Sequence, residues 1–518
     1  MFNFNPAAPF FASSRAHPDR LAVVGDGVAL TYQQTTGYAR AIASALGLVG
    51  RRGARVAILG SRSVAACLAV LGTGWTGATY VPLGLKLPEE RLVGLMKSVG
   101  FDALICDGAG EALLTEAVLA AAPDLILLAD PQGKRDFGLR PPWRLKETRQ
   151  DGGAPVMMEA DDLAYIEFTS GTTGVPKGVM IPAGGLHHYV TVMQEWFSFA
   201  MNDRVAETAD LSFDISVSNM FLTWNAGAAL YILPSTATLS PAKFIRENAL
   251  SIWYSVPSVI ALMQRTRSLQ PGCLPSLRRT FFAGEPLPAA GAEAWMDAAP
   301  NSTLDNLYGP TEATVVCLRQ EGVKPLQVTP QRGIVAIGRG YPGMEVAILD
   351  TNLRPLPCGE KGEIALSGPQ LAAGYLNLPE LTAARFPVID GRRWYLTGDY
   401  GYEDSEGVFH HLGRMDNQVK VRGNRVELEE IDVHLRRAGE TMSAAAVAWP
   451  VEHGSAAGIV AFVAGAGVSS GRITEVMRTL LPAYMVPSSI VELDSLPLNA
   501  NGKIDRRALV TMLEERAT

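Results

Sequence analysis

The sequence predicts an α/β protein. A large N-terminal domain of layered α/β subdomains plus a β-rich subdomain is followed by a small C-terminal α+β domain. Three observations carry that reading. Apolar β-forming runs alternate with helical patterns from Leu21 to Leu128 and again from Arg204 to Phe282, the pattern of a layered α/β domain. From Gly333 the chain changes to short β-forming segments separated by turns: VAILD, GEIALSG, WYLTGDYG and GVFHHLGR. After Arg414 a basic hairpin, QVKVRGNRVELEEID, opens a compact stretch that mixes helices and strands to the end. The boundary is placed at Met415-Asp416, giving domains over 1–415 and 416–518.

In order, Leu21–Val24 and Ala29–Tyr32 form a hairpin around Gly25-Asp26-Gly27. Thr31 caps a helix that runs through the alanine-rich segment to about Leu48. Ala54–Leu59 is a buried strand and Ser63–Gly74 a helix. A strand at Tyr80, a helix over Glu89–Ser98 and a strand over Ala103–Cys106 follow. Ser63–Leu85 is uncharged and long. Its four glycines, one proline and strand-like ATYVPL make it a buried helix followed by a strand, not a membrane span. Leu125–Leu128 is a short strand, and Pro131–Pro155 an irregular, charged surface connection. Farther on, Arg204–Ala206, Ala228–Leu233, Ile252–Ser255 and Arg279–Phe282 read as strands, and Val217–Trp224 and Pro241–Asn248 as helices. Asn306–Glu312, NLYGPTE, is a strand end that turns at Gly309-Pro310.

Composition narrows the class. A chain of 518 residues can bury a large core in two or more domains, and 47% hydrophobic with 19% charged residues is not the composition of a disordered chain. A net charge of −7 without a long basic run argues against nucleic acid or an anionic membrane as partner. Cys67, Cys106, Cys273, Cys317 and Cys358 form no C-x-x-C pair, which suits reduced thiols in a cytoplasm. The N-terminus lacks a basic region followed by an apolar one, so no signal peptide is expected. No low-complexity linker or internal repeat is found.

The chemistry concentrates in YIEFTSGTTGVPKGVM, Tyr165–Met180. Tyr165, Ile166 and Phe168 are β-formers, and Glu167 interrupts their apolar run. Thr169, Ser170, Gly171, Thr172, Thr173 and Gly174 then supply hydroxyls and backbone N–H groups that can meet several phosphate oxygens at once, because glycine has no Cβ to hold an anion away. Lys177 and Gly178 add a cation. The ordinary alternative is a surface hairpin, but the density of small and hydroxyl residues favours phosphate binding. The loop is not a Walker A motif: Val-Pro-Lys-Gly lacks the glycine before the lysine and the hydroxyl after it.

Two motifs mislead. Gly338-Arg339-Gly340-Tyr341-Pro342-Gly343 fits G-x-G-x-x-G but runs into the strand-like MEVAILD, not a helix, so a dinucleotide site is not read there. His187-His188 and His410-His411 lack helical ligand spacing, and seven histidines without a tight cluster point to structural or surface roles.

Five stretches, YIEFTSGTTGVPKG, NLYGPTEAT, YLTGDYG, GRMDNQVKVRGNRVELEEID and NANGKIDRRAL, stand in one order over nearly the whole chain. Together they closely resemble the adenylate-forming superfamily of acyl- and aryl-CoA ligases, luciferases and adenylation domains. The resemblance is greatest to the amino-acid adenylation enzymes of nonribosomal peptide synthesis, stand-alone prolyl- or D-alanyl-carrier-protein ligases among them. It implies that a carboxylate attacks the α-phosphate of ATP, pyrophosphate leaves, and an acyl-adenylate remains, catalysed by positioning and charge neutralisation. The loop from Thr169 to Lys177 would then hold the β- and γ-phosphates. Gly284, Glu285 and Pro286 would belong to the ATP site. Tyr308, beside Gly309, would stack on adenine with Asn306 at its edge. Thr311 would contact the α-phosphate, Glu312 would bind Mg²⁺, and Asp399 would take the ribose hydroxyls with Arg414 nearby. Lys503, in Asn501-Gly502-Lys503-Ile504-Asp505, would bridge substrate carboxylate and α-phosphate in the transition state. A mobile C-terminal lid domain is implied, with Asp416 at its hinge and Gly423 beside the path of a phosphopantetheine thiol.

For the substrate, Asp214 in Phe213-Asp214-Ile215-Ser216 matches the aspartate that amino-acid activators use for the α-ammonium; the ordinary alternative is a helix N-cap. The pocket implied is Ile215, Ser218, Tyr254, Phe281, Ala283, Leu307, Val315 and Val316. With no charge beyond Asp214 and three bulky members, it fits a small neutral amino acid, and its pattern resembles that of prolyl-adenylating enzymes; alanine or glycine come next. The sequence departs from the family at Val175, where a lysine is often found, at Asn219, where amino-acid activators often carry glutamate, and at Leu83-Gly84. No serine-centred carrier motif follows Lys503 and no H-H-x-x-x-D-G motif precedes the domain, so a stand-alone enzyme acting on a separate carrier protein is expected. The alternatives are an acyl- or aryl-CoA ligase and an inactive carrier-binding scaffold.

Overall fold

A computed structural model describes residues 4–129, 131, 153–171, 176–452, 455–465, 467–498 and 504–517. It divides into two compact units. The first comprises Met1–Leu85, Leu95–Phe168 and Gly178–Leu412, and the second Lys86–Gly94, Thr169–Lys177 and Gly413–Thr518.

The first unit is built on two large sheets. In the seven-stranded sheet Gly374–Tyr375, Lys177–Pro182, Leu163–Thr169, Thr79–Leu83, Arg55–Leu59, Ala103–Cys106 and Ile126–Leu128 lie side by side. Thr79–Leu83 and Ala103–Cys106 are buried at every residue, which is why these segments read as continuous apolar runs and not as alternating ones. The helix Val64–Trp75 is buried at every position, so its uncharged sequence belongs to the core; Ser63 Oγ caps it by accepting from the Ala66 N–H at 3.1 Å. Thr31 starts the helix Tyr32–Leu46 with a reciprocal box: its Oγ1 accepts from the Gln34 N–H and its own N–H donates to Gln34 Oε1.

The nine-stranded sheet runs Arg339–Gly340, Leu318–Glu321, Thr303–Tyr308, Arg279–Phe282, Ile252–Ser255, Arg204–Glu207, Ala229–Ile232, Leu21–Gly25 and Val28–Thr31. Its central strands are parallel, with Tyr254 opposite Phe281 and Phe282 opposite Asn306. The β-rich segment forms a four-stranded antiparallel sheet of Glu345–Leu349, Gly362–Ser367, Tyr395–Glu403 and Phe409–Arg414. Gly338 precedes an edge strand, where a Cβ would lie 1.7 Å from the carbonyl oxygen of Arg319. Close backbone approach, not nucleotide binding, accounts for the glycine that opens the G-x-G-x-x-G match.

Helices in this unit that go beyond the sequence reading include Ala8–Ala16, Ala183–Phe197, Ser258–Arg265 and Ala289–Ala298. The second carries His187-His188. It begins Ala-Gly-Gly and has no side-chain cap, so propensity hides it; burial of Leu186, Tyr189, Val190, Met193 and Phe197 along one face holds it. His188 Nδ1 lies 3.1 Å from Gln370 Oε1 and His187 packs on Phe4, both structural roles.

In the second unit a three-stranded sheet of Ser443–Ala448, Ile459–Ala464 and Ser489–Leu493 packs with helices Leu428–Ala438 and Ser470–Leu480. The first helix buries Leu428, Ile431, Leu435 and Ala438, at spacings of three and four that make one apolar stripe. Asp432 on the same helix accepts from the Ala446 N–H and from Arg506; burial pushes its carboxyl up to about 6, with Arg506 acting the other way. Among the described residues no helix is long and apolar enough to cross a membrane.

Candidate active site

In an open α/β sheet the loops at the carboxyl ends of parallel strands gather side chains from several elements into one crevice. The strands Ile252–Ser255, Arg279–Phe282 and Thr303–Tyr308 end in this way on predicted residues: Tyr254, Phe281 with Ala283, and Asn306 to Tyr308. Asn306 is buried, its Nδ2 donating to the carbonyl of Ala336 at 2.8 Å. Glu285 Oε2 accepts from the Ser258 N–H at 2.8 Å, fixing the turn Ala283-Gly284-Glu285-Pro286. At Gly309 a Cβ would lie 2.4 Å from Cα of Val316, so only glycine lets the chain fold back against the pocket wall. The short helix Thr311–Ala313 follows.

Tyr308 OH donates to Asp399 Oδ2, so the residues implied for adenine and ribose meet across 91 positions. The other oxygen of Asp399 lies 3.3 Å from His411 Nε2, and Arg332 Nη1 lies 2.7 Å from His411 Nδ1. Guanidinium only donates, so Nδ1 accepts and Nε2 presents its proton to Asp399. Burial lowers the pKa of Arg332, while Asp399 opposes that shift. No local motif marks this chain of partners.

Asp214 occupies the N-cap position of the helix Ile215–Asn225 but makes no side-chain capping bond. Its Oδ2 accepts instead from Thr311 Oγ1 at 2.8 Å, which joins the two predicted groups and sets the capping alternative aside. Ile215, Ser218, Tyr254, Phe281, Ala283, Leu307, Val315 and Val316 are all buried. Tyr254 and Phe281 meet edge to face with centroids 5.6 Å apart, and Ser218 Oγ is bonded to Tyr189 OH. Thr314 and Val315 have φ of 55° and 67°, costly for β-branched residues, about 1–3 kcal/mol each. Buried Gln370 holds that strand of chain: its Nε2 donates to the carbonyls of Ala313 at 3.1 Å and Val316 at 2.9 Å, and its own carbonyl accepts from Thr314 Oγ1 at 2.6 Å. Asn219 donates to Glu207 Oε1 at 3.1 Å, so a carboxyl group stands beside the position where the sequence departs from the family.

Glu312 is fully buried and accepts from Tyr375 OH at 2.8 Å. Among the described residues no group of three or more His, Cys, Asp or Glu could hold a metal. One carboxylate completed by nucleotide phosphates is nonetheless how magnesium is commonly bound, and Glu312 fits that role.

In the second unit Ser170 Oγ donates to the carbonyl of Arg425 at 2.9 Å, and the Gly171 N–H to Glu430 Oε2 at 3.2 Å. Lys177 Nζ pairs with Glu427 Oε1 at 3.2 Å, both groups buried. Thr169 ends the strand that leads into the loop. Arg414 is bound to Asp416 through Nε at 2.9 Å and Nη2 at 2.6 Å. Gly423 sits in the turn between Gln418–Val421 and Asn424–Glu427. Thr172, Thr173, Gly174, Val175 and Lys503 lie outside the described residues.

The family described as AMP-binding enzyme matches residues 10–376. Novobiocin biosynthesis protein H of Streptomyces niveus is 34% identical over 510 residues, covering 96% of this chain and 80% of that protein. The D-alanine--D-alanyl carrier protein ligase of Bacillus velezensis is 33% identical over 453 residues, 85% of each chain. Of tyrocidine synthase 1 from Brevibacillus parabrevis the chain spans 44%. The crystal structure of the Vibrio cholerae adenylation domain AlmE, in complex with glycyl-adenosine-5'-phosphate, superposes with a TM-score of 0.88 at 31% identity over 99% of this chain and 98% of that one. The matched residues and the extent of these likenesses show that the chain belongs to the AMP-binding enzyme family, the AMP-forming, adenylate-forming ligases.

Proposed function

We propose that the protein uses ATP to convert a small amino acid into its aminoacyl-adenylate and then passes the acyl group, as a thioester, to the phosphopantetheine arm of a separate carrier protein. The observation that carries the amino-acid assignment is Asp214. A carboxylate at a helix N-terminus that forgoes its own helix and bonds Thr311 instead is held for something else, and a substrate ammonium is the natural counter-charge. Relatives support the class: AlmE is named as bound to glycyl-adenosine phosphate, and the Bacillus velezensis relative is named a D-alanyl carrier protein ligase.

In this reading the carboxylate of the substrate attacks the α-phosphorus and pyrophosphate departs. Tyr308 and Asn306 receive adenine, Asp399 the ribose, and Thr311 orients the α-phosphate. Lys177 with its loop binds the outer phosphates, and Lys503 supplies the cation that neutralises charge at the carboxylate and α-phosphate. Magnesium, held by Glu312, neutralises phosphate charge when bound. Domains over 1–415 and 416–518 would alternate about Asp416 between adenylation and thiolation. The lining of the side-chain pocket is apolar and bulky, which favours a small neutral side chain such as that of proline, alanine or glycine.

ATP–pyrophosphate exchange with a panel of acids tests this reading. Exchange that depends on a small amino acid supports it, exchange driven by fatty or aryl acids replaces it with a CoA-ligase activity, and no exchange with any acid refutes both.

A further inference from the structure

Glu167 lies on the strand Leu163–Thr169, which pairs with Thr79–Leu83 through Tyr165 and Tyr80. Side chains two apart on a strand share a face, so Glu167 projects on the side of Tyr165. That side is turned to the helix Ile215–Asn225: Tyr80 stacks on Tyr165 with centroids 5.5 Å apart and packs on Phe221 at 6.3 Å. Asp214 stands at the start of this helix, and its charge acts on Glu167, Tyr80, Tyr165, Tyr189 and Tyr254.

Glu167 is only 2% exposed, yet neither of its carboxyl oxygens has a hydrogen-bond partner among the described residues. The hydroxyls of Tyr80, Tyr165 and Tyr254 are likewise buried without partners. Folded chains rarely leave such groups unmet, and a carboxyl group stripped of water needs a donor. Here a second acid and three unmet hydroxyls lie within reach of the charge of Asp214, the proposed ammonium partner.

We propose that Glu167 is a second, specificity-determining acid of the amino-acid site, sharing the substrate's ammonium with Asp214, and that the substrate class is a small amino acid with a primary amine. The inference rests on the reading of Asp214 given above. Asp214 Oδ2 already accepts from Thr311, so a primary ammonium with three N–H donors has need of a further acceptor, which a carboxyl oxygen of Glu167 supplies. Burial, and then the charge of Asp214, raises the pKa of Glu167 and so favours its neutral form, which leaves the charge of Asp214 to balance the ammonium. A secondary amine offers two donors, and its extra carbon sets apolar surface against buried oxygens. On this ground glycine and alanine move ahead of proline.

The test is pyrophosphate exchange by the purified full chain on matched pairs: glycine against N-methylglycine and alanine against N-methylalanine, with proline alongside. Wild type should favour each primary amine by about tenfold to a hundredfold in kcat/KM. Glu167→Leu should collapse that preference by raising KM for the primary amines while KM for ATP stays unchanged. Glu167→Gln, the neutral isostere, should retain most of it and also serves as the folding control. An unchanged preference in Glu167→Leu overturns the proposal, as does a wild type that favours proline or N-methylated substrates. A wild type that favours diamino acids, with Glu167→Gln losing them, overturns it by making Glu167 a charged partner of a second amine. Absence of exchange with every amino acid instead refutes the amino-acid reading itself.

Discussion

Replacing Glu207 by glutamine should make the protein more stable, and more so the higher the pH. Glu207 is buried; its Oε1 accepts from Asn219 Nδ2 at 3.1 Å and from the Ala209 N–H at 3.0 Å, while Oε2 has no hydrogen-bond partner among the described residues. Burial pushes its pKa from 4.5 up to about 8, with the bonds from Asn219 and Ala209 and the charge of Arg62 acting the other way. The folded chain therefore holds a proton that the unfolded chain gives up. Stability from this group is fully present below pH 4.5, falls as pH rises, and is lost once pH passes 8. A difference of about 3.5 units at about 1.36 kcal/mol each sets an upper figure of about 5 kcal/mol. Glutamine keeps the acceptor for Asn219 and Ala209 and carries no titrating proton. The gain of Glu207→Gln over wild type should be about 1 kcal/mol or less at pH 5 and grow by about 1.4 kcal/mol per unit up to pH 8. Thermal midpoints from pH 5 to 9 read this directly, since about 1 kcal/mol moves the midpoint of a large domain by about 2–4 °C. A difference between variant and wild type that stays flat across that range refutes the argument.

Other outcomes follow from the site. Asp214→Ala should lower amino-acid-dependent pyrophosphate exchange by about a hundredfold or more, the loss of a charge-assisted partner in a buried place, with ATP affinity little changed; exchange within threefold of wild type counts against the ammonium role. Lys503→Ala should remove most adenylation but spare thioester formation from pre-formed adenylate, because a charge between carboxylate and phosphate matters only in the first half-reaction; equal losses in both would argue for a structural lysine. Asp416→Pro fixes φ and removes the acceptor of Arg414, so adenylation should persist while carrier loading falls at least tenfold; normal loading would exclude a hinge there.

Much of this was legible in the sequence. The strands Arg55–Leu59, Ala103–Cys106, Ile252–Ser255 and Arg279–Phe282 announced themselves as short β-forming runs, and Thr31 and Ser63 marked their helices by capping chemistry. Helices such as Ala183–Phe197, which opens Ala-Gly-Gly without a side-chain cap, were hidden because tertiary burial and not local propensity holds them. The site divides in the same way. Asp214, Glu312, Tyr308 and Asp399 stand in motifs, but groups that hold them lie outside those motifs: Tyr375 reaches Glu312 across 63 positions and His411 comes to Asp399 from the next strand of the β-rich sheet. No local pattern marks such partners. Glu167 did leave a trace, as a charge inside an otherwise apolar strand, yet only its burial and unmet oxygens give that charge a meaning.

Gln370 has a bearing on how this enzyme could change its substrate over time. The left-handed turn at Thr314 and Val315 is fastened by the side-chain amide of Gln370 on the carbonyls of Ala313 and Val316, bonds that do not depend on which side chains Val315 and Val316 carry. If Val315 and Val316 line the amino-acid pocket as proposed, mutations there can alter what it accepts without first finding a new loop. A lineage carrying this clasp can drift between small substrates by single replacements, whereas loss of Gln370 would undo the wall for every substrate at once.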